Sequence, residues 1–214
     1  MDIFGLAFSP FAARAILAAR FKGYKYKLSV PKDGLKSPAF LKLNPLGKVP
    51  VLKDGSVVLF ESQVIVEYLE AKSKKNRLVP SGAKAASQVR LIGAMFADYL
   101  QPAIMGLWGQ LDPSKRDQSV VDAKLADIAK YLDIIEKMIP AKAYLAGAKP
   151  TIADVYGAPA LFFLNKFLPQ FGADPLGGRK KLSKYMAKTK KDKALSTTLA
   201  DMDTALTAWQ NSQR

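Results

Sequence analysis

The sequence contains no cysteine and no histidine. Without cysteine there is no disulfide framework, no thiolate nucleophile, no Cys-based zinc site and no C-x-x-C redox pair. Without histidine there is no Ser-His-Asp relay, no H-E-x-x-H metal site and no imidazole acid or base. No metal centre is expected. Any chemistry must use hydroxyls, carboxylates, lysines, backbone groups or a borrowed cofactor. Acidic residues are also scarce, 18 against 33 Lys+Arg, which leaves a net charge of +15 and favours anionic ligands. The surplus is spread evenly, +8 over residues 1–80 and +7 over the remainder, so it does not form a basic nucleic-acid-binding tail. The densest run is Arg179, Lys180, Lys181, Lys184, Lys188, Lys190, Lys191 and Lys193. No aromatic residue but Tyr185 interleaves it, so it reads as a solvated helix face and no nucleic-acid partner is expected. Long apolar runs are missing too. Residues 3–19 are apolar, but Asp2, Pro10 and Arg14 break the pattern of a signal peptide. Nothing reaches the ~18 consecutive apolar residues of a spanning helix. The expectation is a soluble, cytoplasmic chain without integral membrane association.

What is present is a chain of 214 residues, 49% hydrophobic, enough for one large domain or two small ones. The first eighty residues alternate strand and helix signals. Asp2–Ala7 reads as a short buried strand, and Ser9-Pro10 opens a helix through Phe21 that Gly23 closes. Tyr24–Val30 reads as a second strand, parallel to the first. Ser37–Leu43 can make one or two helical turns. Val51-Leu52 and Val57–Leu59 flank Asp54-Gly55, a hairpin turn signal, and Ser62–Lys72 carries a helical stripe. The order β-α-β-α-β-β-α defines a compact α/β sandwich over 1–72. Residues 73–82 (SKKNRLVPSG) read as a linker, and 83–214 as an all-helical domain. Val121, Leu125, Ile128, Leu132, Ile135 and Ile139 form one core-facing stripe there.

Four local features carry the functional reading. Ser9 sits where strand becomes helix: it is either an ordinary N-cap or a hydroxyl that, with the free amides of the first turn, faces an anion such as a thiolate. In Asn44-Pro45-Leu46-Gly47-Lys48-Val49-Pro50, Pro50 stands at the start of a strand, where it removes a ladder donor. A cis Val49-Pro50 bond would turn the Val49 N–H and C=O outward to pair with an extended, peptide-like ligand; a simple turn before an edge strand is the other reading. In Phe60-Glu61-Ser62-Gln63, taking Ser62 as N-cap, neither a capping box nor a hydrophobic staple explains Glu61. A carboxylate and a hydroxyl beside free helix amides suit a zwitterionic amino-acid group. Thr151-Ile152-Ala153-Asp154 reads as a reciprocal cap, structural rather than catalytic.

Together these residues resemble the glutathione transferases, over nearly the whole chain. Phe4-Gly5, Ser9, Arg14, Lys36-Ser37-Pro38, Asn44-Pro45 through Pro50, Asp54-Gly55, Glu61-Ser62 and Tyr144-Leu145-Ala146-Gly147 resemble the phi class or a phi-like relative. A tau-like reading of Ser9-Pro10-Phe11 stays open. The resemblance implies a thioredoxin-like N-terminal domain followed by an all-α C-terminal helical bundle domain, a homodimer, and glutathione as co-substrate. It implies that Ser9 is the catalytic hydroxyl that hydrogen-bonds the glutathione sulfur. Lys36 and Lys48 would meet the glycine carboxylate, Val49 the cysteinyl backbone with Pro50 cis, and Glu61 and Ser62 the γ-glutamyl end. Leu35 departs from the histidine common in phi-like proteins, and Lys48 from a frequent glutamine. The implied reaction is conjugation of glutathione thiolate to hydrophobic electrophilic small molecules, with hydroperoxide reduction as a further activity open to it. A ligand-binding or carrier protein of little turnover is the alternative. Phe11, Met105, Trp108 and Phe163 are candidates for contact with the second substrate between the domains, each equally able to be plain core packing.

Overall fold

Ser9 caps the first helix by accepting a hydrogen bond from the Ala12 N–H at 3.4 Å, with Pro10 at the first helical position. These local choices recur along the chain in a computed structural model that describes residues 1–212. The chain packs as two compact units: Met1–Leu78 together with the segment from Asp192 onward, and Val79–Lys191.

The first unit holds β1 (Asp2–Phe4), α1 (Pro10–Lys22), β2 (Lys27–Ser29), α2 (Pro38–Leu41), β3 (Val51–Asp54), β4 (Val57–Phe60), α3 (Ser62–Ala71) and, from the other end of the chain, α9 (Lys193–Ser212). The sheet order is β2-β1-β3-β4, with β1 parallel to β2 and the other pairs antiparallel. Strands β1 and β2 are shorter than expected. Tyr24 explains the late start of β2: its N–H closes α1 on the Ala19 carbonyl at 2.9 Å instead of joining the ladder. The hairpin turns at Gly55-Ser56, and Asp54 beside it accepts from Tyr68 and pairs with Lys72 at the end of α3. The core is Ile3, Leu17, Val51, Leu52, Ile65 and Leu69, with five fully buried alanines of α1 that let it lie close.

The second unit is helical: α4 (Ala83–Ala94), a π-helical stretch Met95–Leu100, α5 (Gln101–Gly106), α6 (Gln118–Met138), α7 (Ile152–Phe167) and α8 (Lys180–Thr189). Helix α7 is the central one, buried from Ile152 to Leu164. Its start is the expected reciprocal cap: Asp154 Oδ2 accepts from the Thr151 N–H at 2.8 Å and hydroxyl at 2.9 Å, and Oδ1 from the Leu145 N–H at 3.0 Å. Helix α6 buries Val121, Ile128, Leu132 and Ile135 of the stripe read from the sequence; Ile139, just past its end, is buried too, and Leu125 is half-buried. Among the described residues no helix is long and apolar enough to cross a membrane.

The division at 83–214 needs correction. Helix α9 groups with the sheet unit, because Arg20 of α1 holds Thr198 and Asp201, and Phe8 holds Trp209. Helical periodicity shows that α9 has an apolar face. It does not show which neighbour that face meets.

Candidate active site at one end of the sheet

Sheet register brings the candidate residues toward one end. Phe4 pairs with both Ser29 and Val51, and Val51 pairs with Phe60. This row crosses all four strands, and at it β1, β2 and β4 finish while β3 begins. The segment to Ser9 leaves β1 here, that to Lys36 leaves β2, Lys48-Val49-Pro50 enters β3, and Glu61-Ser62 leaves β4. Open sheets of α/β proteins bind ligands outside such strand ends.

Ser9 is half-buried at the mouth of α1. Its cap bond uses an oxygen lone pair and leaves the O–H proton to donate elsewhere. The two readings of Ser9 are therefore compatible.

The 44–50 loop is pegged from beneath by Asn44, which is 1% exposed. Its Nδ2 donates to the Lys48 carbonyl at 2.7 Å, and its Oδ1 accepts from the Leu46 N–H at 3.0 Å. Gly47 has φ +59, and a Cβ there would lie 2.7 Å from the Leu35 carbonyl and 2.9 Å from Lys36 Nζ. Lys36 Nζ donates to the Leu46 carbonyl at 3.2 Å, so its ammonium lies against this loop, while the Lys48 side chain is exposed. The Val49-Pro50 peptide is cis, and β3 begins only at Val51, after the Val49 N–H and C=O.

Glu61 is the N-cap of α3 and makes no side-chain cap bond; the helix starts at Ser62, one residue earlier than expected with Ser62 as cap. Glu61 takes φ +67, rare for a residue with a side chain, and is exposed, whereas Ser62 is 4% exposed. The Ser62 hydroxyl accepts from Arg14 Nη1 at 3.3 Å, and the Arg14 guanidinium lies 5.0 Å from the Phe11 ring centroid. Sequence reasoning assigns no role to Arg14 or Asn44. An arginine inside the alanine run of α1 is the available signal, since a buried charge needs a partner.

The apolar candidates separate. Phe11 belongs to the first unit, half-buried beneath Arg14. In the second, Trp108 and Phe163 lie 6.1 Å apart and join Phe167 around a small apolar cavity; Met105 is not among its lining residues. Phe163 is only 1% exposed and packs as core. Among the described residues no cluster of three or more metal-ligating acidic side chains occurs.

A four-stranded thioredoxin-like unit with a capping hydroxyl and two helix mouths at one sheet end, together with an all-helical unit, defines the class of fold. Comparison with known proteins identifies the family. Its N-terminal domain model, described as "Glutathione S-transferase, N-terminal domain", matches residues 3–77, and "Glutathione S-transferase, C-terminal domain" matches residues 95–190. The chain belongs to the glutathione S-transferase family. It is 30% identical over 178 residues to glutathione S-transferase F13 of Arabidopsis thaliana, covering 78% of this chain and 81% of that protein. Against glutathione S-transferase 4 of Zea mays it is 33% identical over 164 residues, covering 72% and 73%. A solved glutathione S-transferase-I bound with lactoylglutathione superposes with a TM-score of 0.80 at 25% identity, over 94% of this chain and 98% of that one.

Proposed function

We propose that the protein conjugates glutathione to hydrophobic electrophiles, with Ser9 donating a hydrogen bond to the sulfur. The observation that carries this is the geometry of Ser9: a helix-mouth hydroxyl whose cap bond leaves its proton available. The solved relative bound with lactoylglutathione supports glutathione as the co-substrate. A free thiol of pKa near ~8.5 is only slightly ionised at neutral pH, and the thiolate is the nucleophile. Lowering that value by about two units requires about 2.7 kcal/mol of preferential thiolate stabilisation. A hydroxyl bonded to a charged sulfur supplies ~1.5–3 kcal/mol, and the helix end ~0.3–1 kcal/mol more. The two suffice without histidine, and Ser9 is never deprotonated.

In this reading the Val49 backbone pairs with the cysteinyl backbone, and Pro50 borders it. Glu61 takes the γ-glutamyl ammonium while Ser62 and the α3 amides take its carboxylate. Lys36 and Lys48 meet the glycine carboxylate. Trp108, half-buried beside Phe163 and Phe167, is the proposed contact for the electrophile. Glutathione-dependent hydroperoxide reduction would use the same thiolate. A homodimer is part of the proposal, on the ground of family membership. So is a cytoplasmic setting, where glutathione keeps thiols reduced.

The test is glutathione-dependent conjugation of a chlorinated nitroaromatic by the wild type and by Ser9→Ala. The expected result is turnover by the wild type and a loss of about 100-fold in the variant, the rate equivalent of about 2.7 kcal/mol. A wild type that is retained on immobilised glutathione yet turns over no electrophile from a broad panel is a carrier, and overturns the proposal.

A further inference from the structure

Helix α8 turns its core residues and its lysines to opposite sides. Leu182, Tyr185 and Thr189 are buried. Lys180, Ser183, Lys184 and Ala187 are exposed, and Lys188 follows Lys184 at four-residue spacing along the same side. Lys190 and Lys191 are exposed in the turn after the helix, where the Lys191 N–H donates to the Lys188 carbonyl at 2.9 Å. The segment from Ile139 to Tyr144 borders this face. Lys181 Nζ donates to the Ile139 carbonyl at 2.8 Å, and Lys188 Nζ lies 5.5 Å from the Tyr144 ring centroid. Lys142, exposed in that segment, adds a further cation.

The nearby carboxylates are engaged elsewhere. Glu136 accepts from the Lys181 and Leu182 N–H groups at 2.8 and 3.0 Å, and Asp133 pairs with Arg179 at 2.8 Å. Asp192, the one acid between positions 179 and 193, accepts from the Leu195 N–H at 3.0 Å. Among the described residues, Lys142, Lys180, Lys184, Lys190 and Lys191 make no ion pair. Lysines four residues apart on a helix are separated by about 6 Å along its axis. That is shorter than the ~8 Å screening length of physiological salt, so their fields add.

The make-up of the face selects among polyanions. Readers of nucleic acid add aromatic rings for stacking or arginine forks for phosphates and bases. Here Tyr185 is buried, Tyr144 is half-buried beside Lys188, and Arg179 is held by Asp133. No large apolar side chain is exposed among the described residues of this face, so nothing is poised to insert into a hydrocarbon layer. Flexible ammonium groups on a ground of serine and alanine suit charge spread laterally over a surface, as in the anionic headgroups of a lipid leaflet.

We propose that the outer face of α8, with the turn after it and Lys142, docks the protein on membrane surfaces rich in anionic lipid, by charge alone and without insertion. The face belongs to the second unit and stands independently of the role of Ser9.

The test is cosedimentation of the full chain with vesicles of phosphatidylcholine alone, or of phosphatidylcholine with about one-third phosphatidylserine. The expected result is binding to the anionic vesicles at about 0.15 M salt, none to the neutral ones, and release at about 0.5 M. Each lysine near an anionic leaflet strengthens partitioning about fivefold. The triple variant Lys180→Gln, Lys184→Gln, Lys191→Gln should therefore bind on the order of 100-fold more weakly. The control variant Lys25→Gln, Lys27→Gln, Lys53→Gln removes exposed lysines of the first unit and changes the net charge equally. It should bind within a few-fold of the wild type. Equal losses in the two variants, binding to neutral vesicles, or binding that persists at the higher salt overturns the proposal. A DNA duplex bound at the lower salt and lost in the α8 variant would assign the face to nucleic acid, and also overturns it. The lipid-composition and salt comparisons use the wild type alone, so they decide the matter even if a variant fails to fold.

Discussion

The Arg14 guanidinium donates to the Ser62 hydroxyl at 3.3 Å, which links α1, capped by Ser9, to the first residue of α3. Arg14 is 2% exposed and Ser62 is 4% exposed. With its oxygen accepting from Arg14, the Ser62 hydroxyl keeps a proton it can donate to another acceptor, such as a ligand carboxylate.

Arg14→Met retains much of the buried stem and removes the donor. We expect the KM for glutathione to rise about tenfold, the equivalent of one hydrogen bond to a charged partner. Stability should fall by about 1–3 kcal/mol because the buried hydroxyl loses its donor. Initial-rate kinetics and urea unfolding check this. An unchanged KM would mean that Ser62 does not depend on Arg14 for its orientation.

Gly47 and Gly55 form a matched pair for testing the 44–50 loop. Both have positive φ, +59 and +63, but a Cβ at Gly47 meets the Leu35 carbonyl and Lys36, whereas nothing lies within 4 Å of one at Gly55. Gly55→Ala should cost only the backbone term, about 1–2 kcal/mol, and leave the KM for glutathione alone. Gly47→Ala should displace the loop and raise that KM several-fold. Equal effects of the two substitutions would contradict the assignment.

The sequence made the local devices legible because each is enforced within a few residues. The Ser9-Pro10 start, the hairpin turn (at Gly55-Ser56, one residue beyond the expected Asp54-Gly55) and the Thr151–Asp154 cap depend on neighbouring groups and need no knowledge of the tertiary fold. The parallel β1–β2 pair followed from the helix between them. Arg14 with Ser62 was not legible, since 48 residues separate the partners. Nor was the position of α9, whose fastening to Arg20 and Phe8 spans nearly the whole chain. Gly47 is intermediate: its presence in a loop was plain, but the obstructing Leu35 carbonyl comes from the segment after β2.

The cap of α7 has a consequence for pH dependence. Burial pushes Asp154 from 3.8 up to about 6, against the pull of the Leu145 and Thr151 amides and the Thr151 hydroxyl. Between these values the folded protein holds a proton that the unfolded chain has released. The contribution of this group is therefore full below the unfolded value and is lost as pH rises through about 6, by up to about 3 kcal/mol. Urea unfolding of the wild type and Asp154→Asn should show the stability advantage of the wild type narrowing from pH 4 to pH 7. A constant or widening advantage would contradict the assignment.

The most direct test of the account is the ionisation of the bound sulfur. Glutathione should be titrated by ultraviolet thiolate absorbance in complex with the wild type and with Ser9→Ala, both at saturation. The account predicts a thiol pKa about two units below the ~8.5 of a free thiol in the wild type, returning most of the way in the variant. The same value in both proteins, or a wild-type value no lower than that of free glutathione, would contradict it.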